Sequence, residues 1–111
     1  MRIKKKNRKF IVKPGISLIH KADIHLRNNE QVTLKDKNKE IDIVKKQWGY
    51  YLTPSINKRL LSFNLNTAII KNTKTNNIFV FAIDKNKMRY FKRYAKKENL
   101  KVLRWLNEKF K

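Results

Sequence analysis

The sequence predicts an α+β domain: a mainly antiparallel sheet of about five to six strands, a short central helix and a longer amphipathic helix near the C-terminus. Three observations carry that prediction. The first half alternates apolar and polar residues in short segments separated by polar turns. The run Ile78-Phe-Val-Phe-Ala-Ile83 is apolar at every position, and residues 86–98 repeat with helical period.

The elements follow in order. Residues 1–9 carry Arg2, Lys4, Lys5, Lys6, Arg8 and Lys9 with no acid among them. Like charges this dense resist compaction, so the expectation is a disordered basic tail ahead of a single domain over 10–111. Pro14-Gly15 marks a turn. Ala22, Ile24 and Leu26 then alternate with Asp23, His25 and Arg27. Asn28-Asn29 tolerates left-handed turn conformations, and Val32 and Leu34 resume the alternation. A second turn at 36–39 leads to Ile41 and Ile43. The three segments are expected to form an antiparallel meander.

Trp48-Gly-Tyr-Tyr51 breaks the alternation. Thr53-Pro54 reads as N-cap and first helical position of a short helix over 54–62, with Ile56, Leu60 and Leu61 at helical spacing. A hairpin follows, its strands at 67–71 and 78–83 joined by the polar turn 72–77. The second of these strands, apolar on both faces, is expected at the centre of the sheet. Asp84 or Asn86 caps a helix running to about Glu98. Met88, Tyr90, Phe91, Tyr94 and Ala95 fall on one side and Arg89, Lys92, Arg93, Lys96 and Lys97 on the other. Asn99 suits a left-handed helix stop. Leu100 to Leu106 fits a final strand or a second helix sharing a face with Phe110; the strand is the expectation.

Composition bounds the function. The 111 residues hold 29 basic and 8 acidic side chains, a net charge of +21. A charge of that size favours association with polyanions, RNA first among them. The basic residues are mostly Lys, and Asn and Ile are also abundant, as AT-rich coding would produce. The alternative is therefore an accessory or protein-interaction domain, facing an acidic partner, whose charge reflects genome composition. There is no cysteine, which excludes disulfides, thiolate catalysis and zinc–sulfur sites. Two glycines exclude a phosphate-cradling loop. The apolar run Phe10-Ile-Val12 is too short for a signal segment, and no stretch reaches the ~18 residues of a membrane span. A cytoplasmic setting without membrane contact is expected.

The candidate nucleic-acid contacts are the helix face Arg89, Lys92, Arg93, Lys96 and Lys97, the arm residues Lys4, Lys5, Lys6, Arg8 and Lys9, and Lys58-Arg59. Trp48, Tyr50 and Tyr51 would stack on unpaired bases if exposed, or close the core beneath the short helix if buried. His20 and His25 are spaced too awkwardly for a metal pair. Residues 36–40 resemble a calcium loop only superficially, lacking its glycine and distal glutamate. No metal or cofactor is expected. The eight acids fall mostly at turns and helix ends, and no nucleophile motif appears, so the reading is not an enzyme.

Overall fold

The computed structural model describes residues 1–13 and 16–108, and the side chains of 1–5 and 17–108. Among the described residues the fold is mixed α+β, mostly antiparallel, with eight strands in three small sheets. The strands are β1 (Arg2–Lys13), β2 (Ile16–His25), β3 (Gln31–Asp36), β4 (Lys39–Lys46), β5 (Gly49–Thr53), β6 (Leu65–Asn72), β7 (Ile78–Asp84) and β8 (Leu100–Trp105). The helices are α1 (Arg59–Ser62) and α2 (Met88–Glu98). The sheets are β1-β2, β3-β4-β5 and β7-β6-β8. The chain divides into two compact units: Met1–Val32 with Ile43–Tyr51, and Thr33–Asp42 with Leu52–Lys111.

The first unit is built on the β1-β2 ribbon. Its antiparallel register sets Arg2 opposite His25, Ile3 opposite Ile24 and Lys4 opposite Asp23, with a shift between Lys5 and Arg8. The basic segment expected to be a disordered tail is thus a strand over Arg2–Lys13. β2 supplies the backbone partners that a tail would lack. The expected meander changes accordingly: β2 pairs with β1, while β3 and β4 are joined by β5, a strand where the sequence suggested a break. The Pro14-Gly15 turn and Phe110 lie outside the described residues. The turn at Asn28-Asn29 is present, with Asn29 left-handed at φ 67°. Its Asn29 amide donates to the Lys45 carbonyl at 2.8 Å, and the Lys45 amide donates to the Glu30 carbonyl at 3.0 Å.

The second unit holds the larger core. Register places Ala68 opposite Phe81 and Ile70 opposite Phe79 on one side, and opposite Trp105 and Val102 on the other. These residues share one sheet face, and α2 covers it with Met88 and Phe91. Phe91 meets Phe81 edge-on, ring centroids 6.2 Å apart. Ala68 and Ile70 are fully buried.

The central strand is β6, not β7 as the apolar run suggested. Ile78, Phe79 and Val80 remain 61%, 44% and 65% exposed. Periodicity detects an apolar run but not its neighbours. Here β6 has a strand on each side, and β7 takes the edge.

The turn at 72–77 is built by Asn72, whose Oδ1 accepts from the Lys74 and Thr75 amides at 2.9 and 3.1 Å. Asn76 there is left-handed at φ 64°. The Asp84 side chain accepts from the Asn86 amide at 2.9 Å, capping a single 3-10 turn at Lys85–Lys87 that leads into α2. Asn99 stops α2 in the left-handed conformation, φ 59°. Residues 100–105 are a strand, as expected. The helix expected over 54–62 shortens to four residues with Lys58 at its N-cap, so Thr53 does not cap it. The Ser55 carbonyl accepts from the Leu60 amide at 3.0 Å, closing a turn where the first helical turn was expected.

Candidate nucleic-acid interface

α2 forms because good helix formers surround an apolar stripe and a left-handed Asn99 ends it. The stripe facing the sheet is Met88, Phe91, Ala95 and Glu98. Arg89, Lys92, Arg93, Lys96 and Lys97 are all exposed. At 100° per residue the exposed side spans an arc of about 200°. Glu98, the helix's one acid, is 7% exposed and lies outside that arc. The outer face is therefore cationic without internal compensation.

Two residues depart from the expected pattern. Tyr90 and Tyr94, placed by periodicity with the apolar side, are 58% and 45% exposed. The stripe that reaches the sheet is narrower than the apolar content of the helix, because Met88 and Phe91 already fill the space over Phe81 and Ile83. The tyrosines sit one turn apart at the margin of the cationic arc. The Arg89 guanidinium lies 5.7 Å from the Tyr90 ring centroid. The sequence held the signal in the i,i+4 spacing of two amphipathic rings among cations.

The other candidates are distributed between the two units. Lys4 and Lys5 are exposed on β1. The backbones of Lys6, Arg8 and Lys9 continue that strand, and their side chains lie outside the described part. Trp48, Tyr50 and Tyr51, also in the first unit, are 72%, 62% and 42% exposed, so they do not close a core. Trp48 and Tyr51 stack on each other at 6.2 Å with planes 18° apart, and the Lys45 ammonium stands 5.3 Å from the Tyr50 centroid. Lys58 and Arg59 belong to the second unit. Lys58 and Arg59 are both exposed, and Arg59 also lies 3.7 Å from Glu40 and 5.7 Å from the Phe63 ring centroid.

Asp23, Asp42, Asp84, Glu30 and Glu40 are each engaged by a partner. His20 Nε2 lies 2.7 Å from Asp23, Thr33 donates to Asp42, and Lys35 reaches Glu40 at 3.1 Å. Lys39 donates to the Phe63 carbonyl at 2.9 Å and stands 3.8 Å from Asp84. Glu30 accepts from the N-terminal ammonium at 2.8 Å and from the Arg27 amide at 2.6 Å, and these bonds hold its carboxyl below the usual range. Among the described residues no three His, Asp or Glu side chains gather to hold a metal. No helix among them is long and apolar enough to cross a membrane.

No family model, curated protein or solved structure matches this chain.

Proposed function

We propose that this protein binds nucleic acid, RNA foremost, through the outer face of α2. The observation that carries the reading is that the five cations of α2 are exposed on one arc while its single carboxylate is buried beneath it. A packed helix holds its cations at fixed spacing, so phosphate contacts form with less ordering cost than on a mobile segment. About five such contacts would lower affinity by two to three decades between about 50 and 200 mM salt. In the first unit the exposed Lys4 and Lys5, with Lys6, Arg8 and Lys9 further along β1, and in the second unit the exposed Lys58, are separate candidates for phosphate contact. Trp48, Tyr50 and Tyr51 offer further ring faces. The reading invokes no catalysis and no cofactor, and places the protein in the cytoplasm.

The test is fluorescence anisotropy of labelled RNA, duplex DNA and heparin across about 50, 150 and 300 mM salt. Replacing Arg89, Lys92, Arg93, Lys96 and Lys97 together with Gln should weaken binding at low salt by about two decades or more and flatten the salt slope. Unchanged binding overturns the assignment to α2.

An apolar edge and an apolar cavity in the second unit favour a second reading, an accessory domain that docks a protein partner. The exposed edge β7 carries Ile78, Phe79 and Val80, and an apolar cavity of about 240 Å³ opens between Leu52, Pro54, Leu60 and Val80. Equal binding of all three polyanions that vanishes by about 150 mM salt would make this reading the stronger one.

A further inference from the structure

Resting on the reading of α2 as a nucleic-acid interface, we infer that its ligand is an unpaired strand, and that Tyr90 and Tyr94 select it by stacking on bases.

Paired and unpaired nucleic acids offer a helix different surfaces. A duplex presents phosphates and base edges, and the ring faces of its bases are covered by their neighbours. A-form RNA also has a major groove too deep and narrow for side chains to read. Cations alone serve a duplex. Exposed aromatic rings find their partner in the ring faces of unpaired bases, which tolerate any sequence because every base has such a face.

Tyr90 and Tyr94 meet that requirement geometrically. Spaced i,i+4, they are neighbours on one side of the helix, with Cβ atoms about 5–6 Å apart. They stand at 58% and 45% exposure, although the same helix packs partly buried Met88 and Phe91 against the core. The core therefore does not require their rings. Around them, Arg93 and Lys97 are exposed on the same arc, and Arg89 lies against Tyr90. A strand running along the helix would set its phosphates on the cations and its bases on the ring flank. This division of labour separates the two side-chain types. The cations bind any polyanion, and the tyrosines distinguish unpaired from paired strands.

Tyr90 differs from Trp48 and Tyr51 in its setting. Trp48 and Tyr51 are already stacked on each other, so part of their ring surface is used internally. Tyr90 is held by a single guanidinium at its ring, a contact compatible with a base on the opposite face.

The experiment compares the wild type with Tyr90→Leu/Tyr94→Leu and Tyr90→Phe/Tyr94→Phe. Probes are a labelled single-stranded RNA, the single-stranded DNA of the same sequence, and the duplex of each, at fixed salt. Circular dichroism and thermal melting establish that the variants are folded. Leucine keeps the helix propensity and the charge while removing the rings. Each ring is worth about five- to 150-fold in affinity for an unpaired strand. The leucine pair should therefore lose at least about tenfold for both single strands. It should stay within about twofold for both duplexes, while the phenylalanine pair binds as wild type. Equal loss on single strands and duplexes, or none on either, overturns the stacking inference and leaves α2 as a general cationic surface. Wild-type protein that binds none of the four probes at low salt overturns the underlying reading together with this one. A single-strand preference confined to one sugar identifies which unpaired strand is the ligand and supports the inference.

Discussion

The two compact units reach order by different means. Among the described residues, the second unit contains Leu60, Leu65, Ala68, Ile70 and Ile83 as buried apolar side chains, and the first contains only Val44. The second also buries Asp42, Thr67 and Glu98. In the first, Ile3, Leu18, Ile19 and Ile24 along the β1-β2 ribbon remain 41–56% exposed. A sheet covered by a helix removes apolar surface from water at ~25 cal/mol per Å². A two-stranded ribbon depends instead on its hydrogen-bond ladder, and isolated hairpins are marginal in water. The difference teaches where a dense positive charge is tolerated. In the second unit it lies on the outside of a packed helix, and in the first it is spread along an extended ribbon.

The sharpest way to break the comparison is to remove core volume from each unit. Ile70→Ala, at the fully buried centre of β6, should cost about 2–5 kcal/mol. Val44→Ala should cost about 1–2 kcal/mol. Chemical denaturation of both variants checks the order, and equal costs would mean that Val44 is packed as tightly as Ile70. A smaller effect is expected at the entry to α2. Asp84→Ala removes the acceptor for the Asn86 amide and the partner of Lys39, and should cost about 1 kcal/mol. Amide exchange should then rise first in the 3-10 turn and the start of α2.

The smallest effect sharpens the electrostatic side of the comparison. Glu30 has a folded-state carboxyl pKa below its ordinary value, held there first by the N-terminal ammonium and then by the Arg27 amide. A depressed pKa means that its contribution is complete above the ordinary carboxylate range and is lost as pH falls through the folded value. The site is exposed and solvent-screened, so the shift in stability is small. Acid titration of wild type against Glu30→Gln, followed by NMR of the Arg27 amide, should show that resonance moving only in the wild type as the pH falls below the ordinary carboxylate range.

Much of the candidate site was legible because its determinants are local. The cations of α2 recur at helical spacing, Asp84 caps the 3-10 turn that leads into the helix, and Asn99 ends it in the left-handed conformation. The turns at Asn28-Asn29 and 72–77 follow from residues that accept left-handed backbone or bond to nearby amides. The exposure of Tyr90 and Tyr94 was not legible in the same way. Helical period gives an angle around the axis, but the width of the buried stripe depends on how many side chains the opposing sheet can receive.

The charge, the α+β class, the turns at Asn28-Asn29, 36–39 and 72–77, the end of α2 at Asn99 and the exclusion of cysteine chemistry are all legible in the local sequence. Tertiary structure alone decided that β1 is a strand, that β6 rather than β7 is central, that α1 is a single turn, and that Trp48, Tyr90 and Tyr94 face outward. The physical reason is range. Caps, turns and helical faces are set by interactions among residues a few positions apart, whereas a strand's place in a sheet depends on partners far along the chain. β1 shows this most plainly: a basic segment that would remain open alone is ordered by the ladder that β2 offers it.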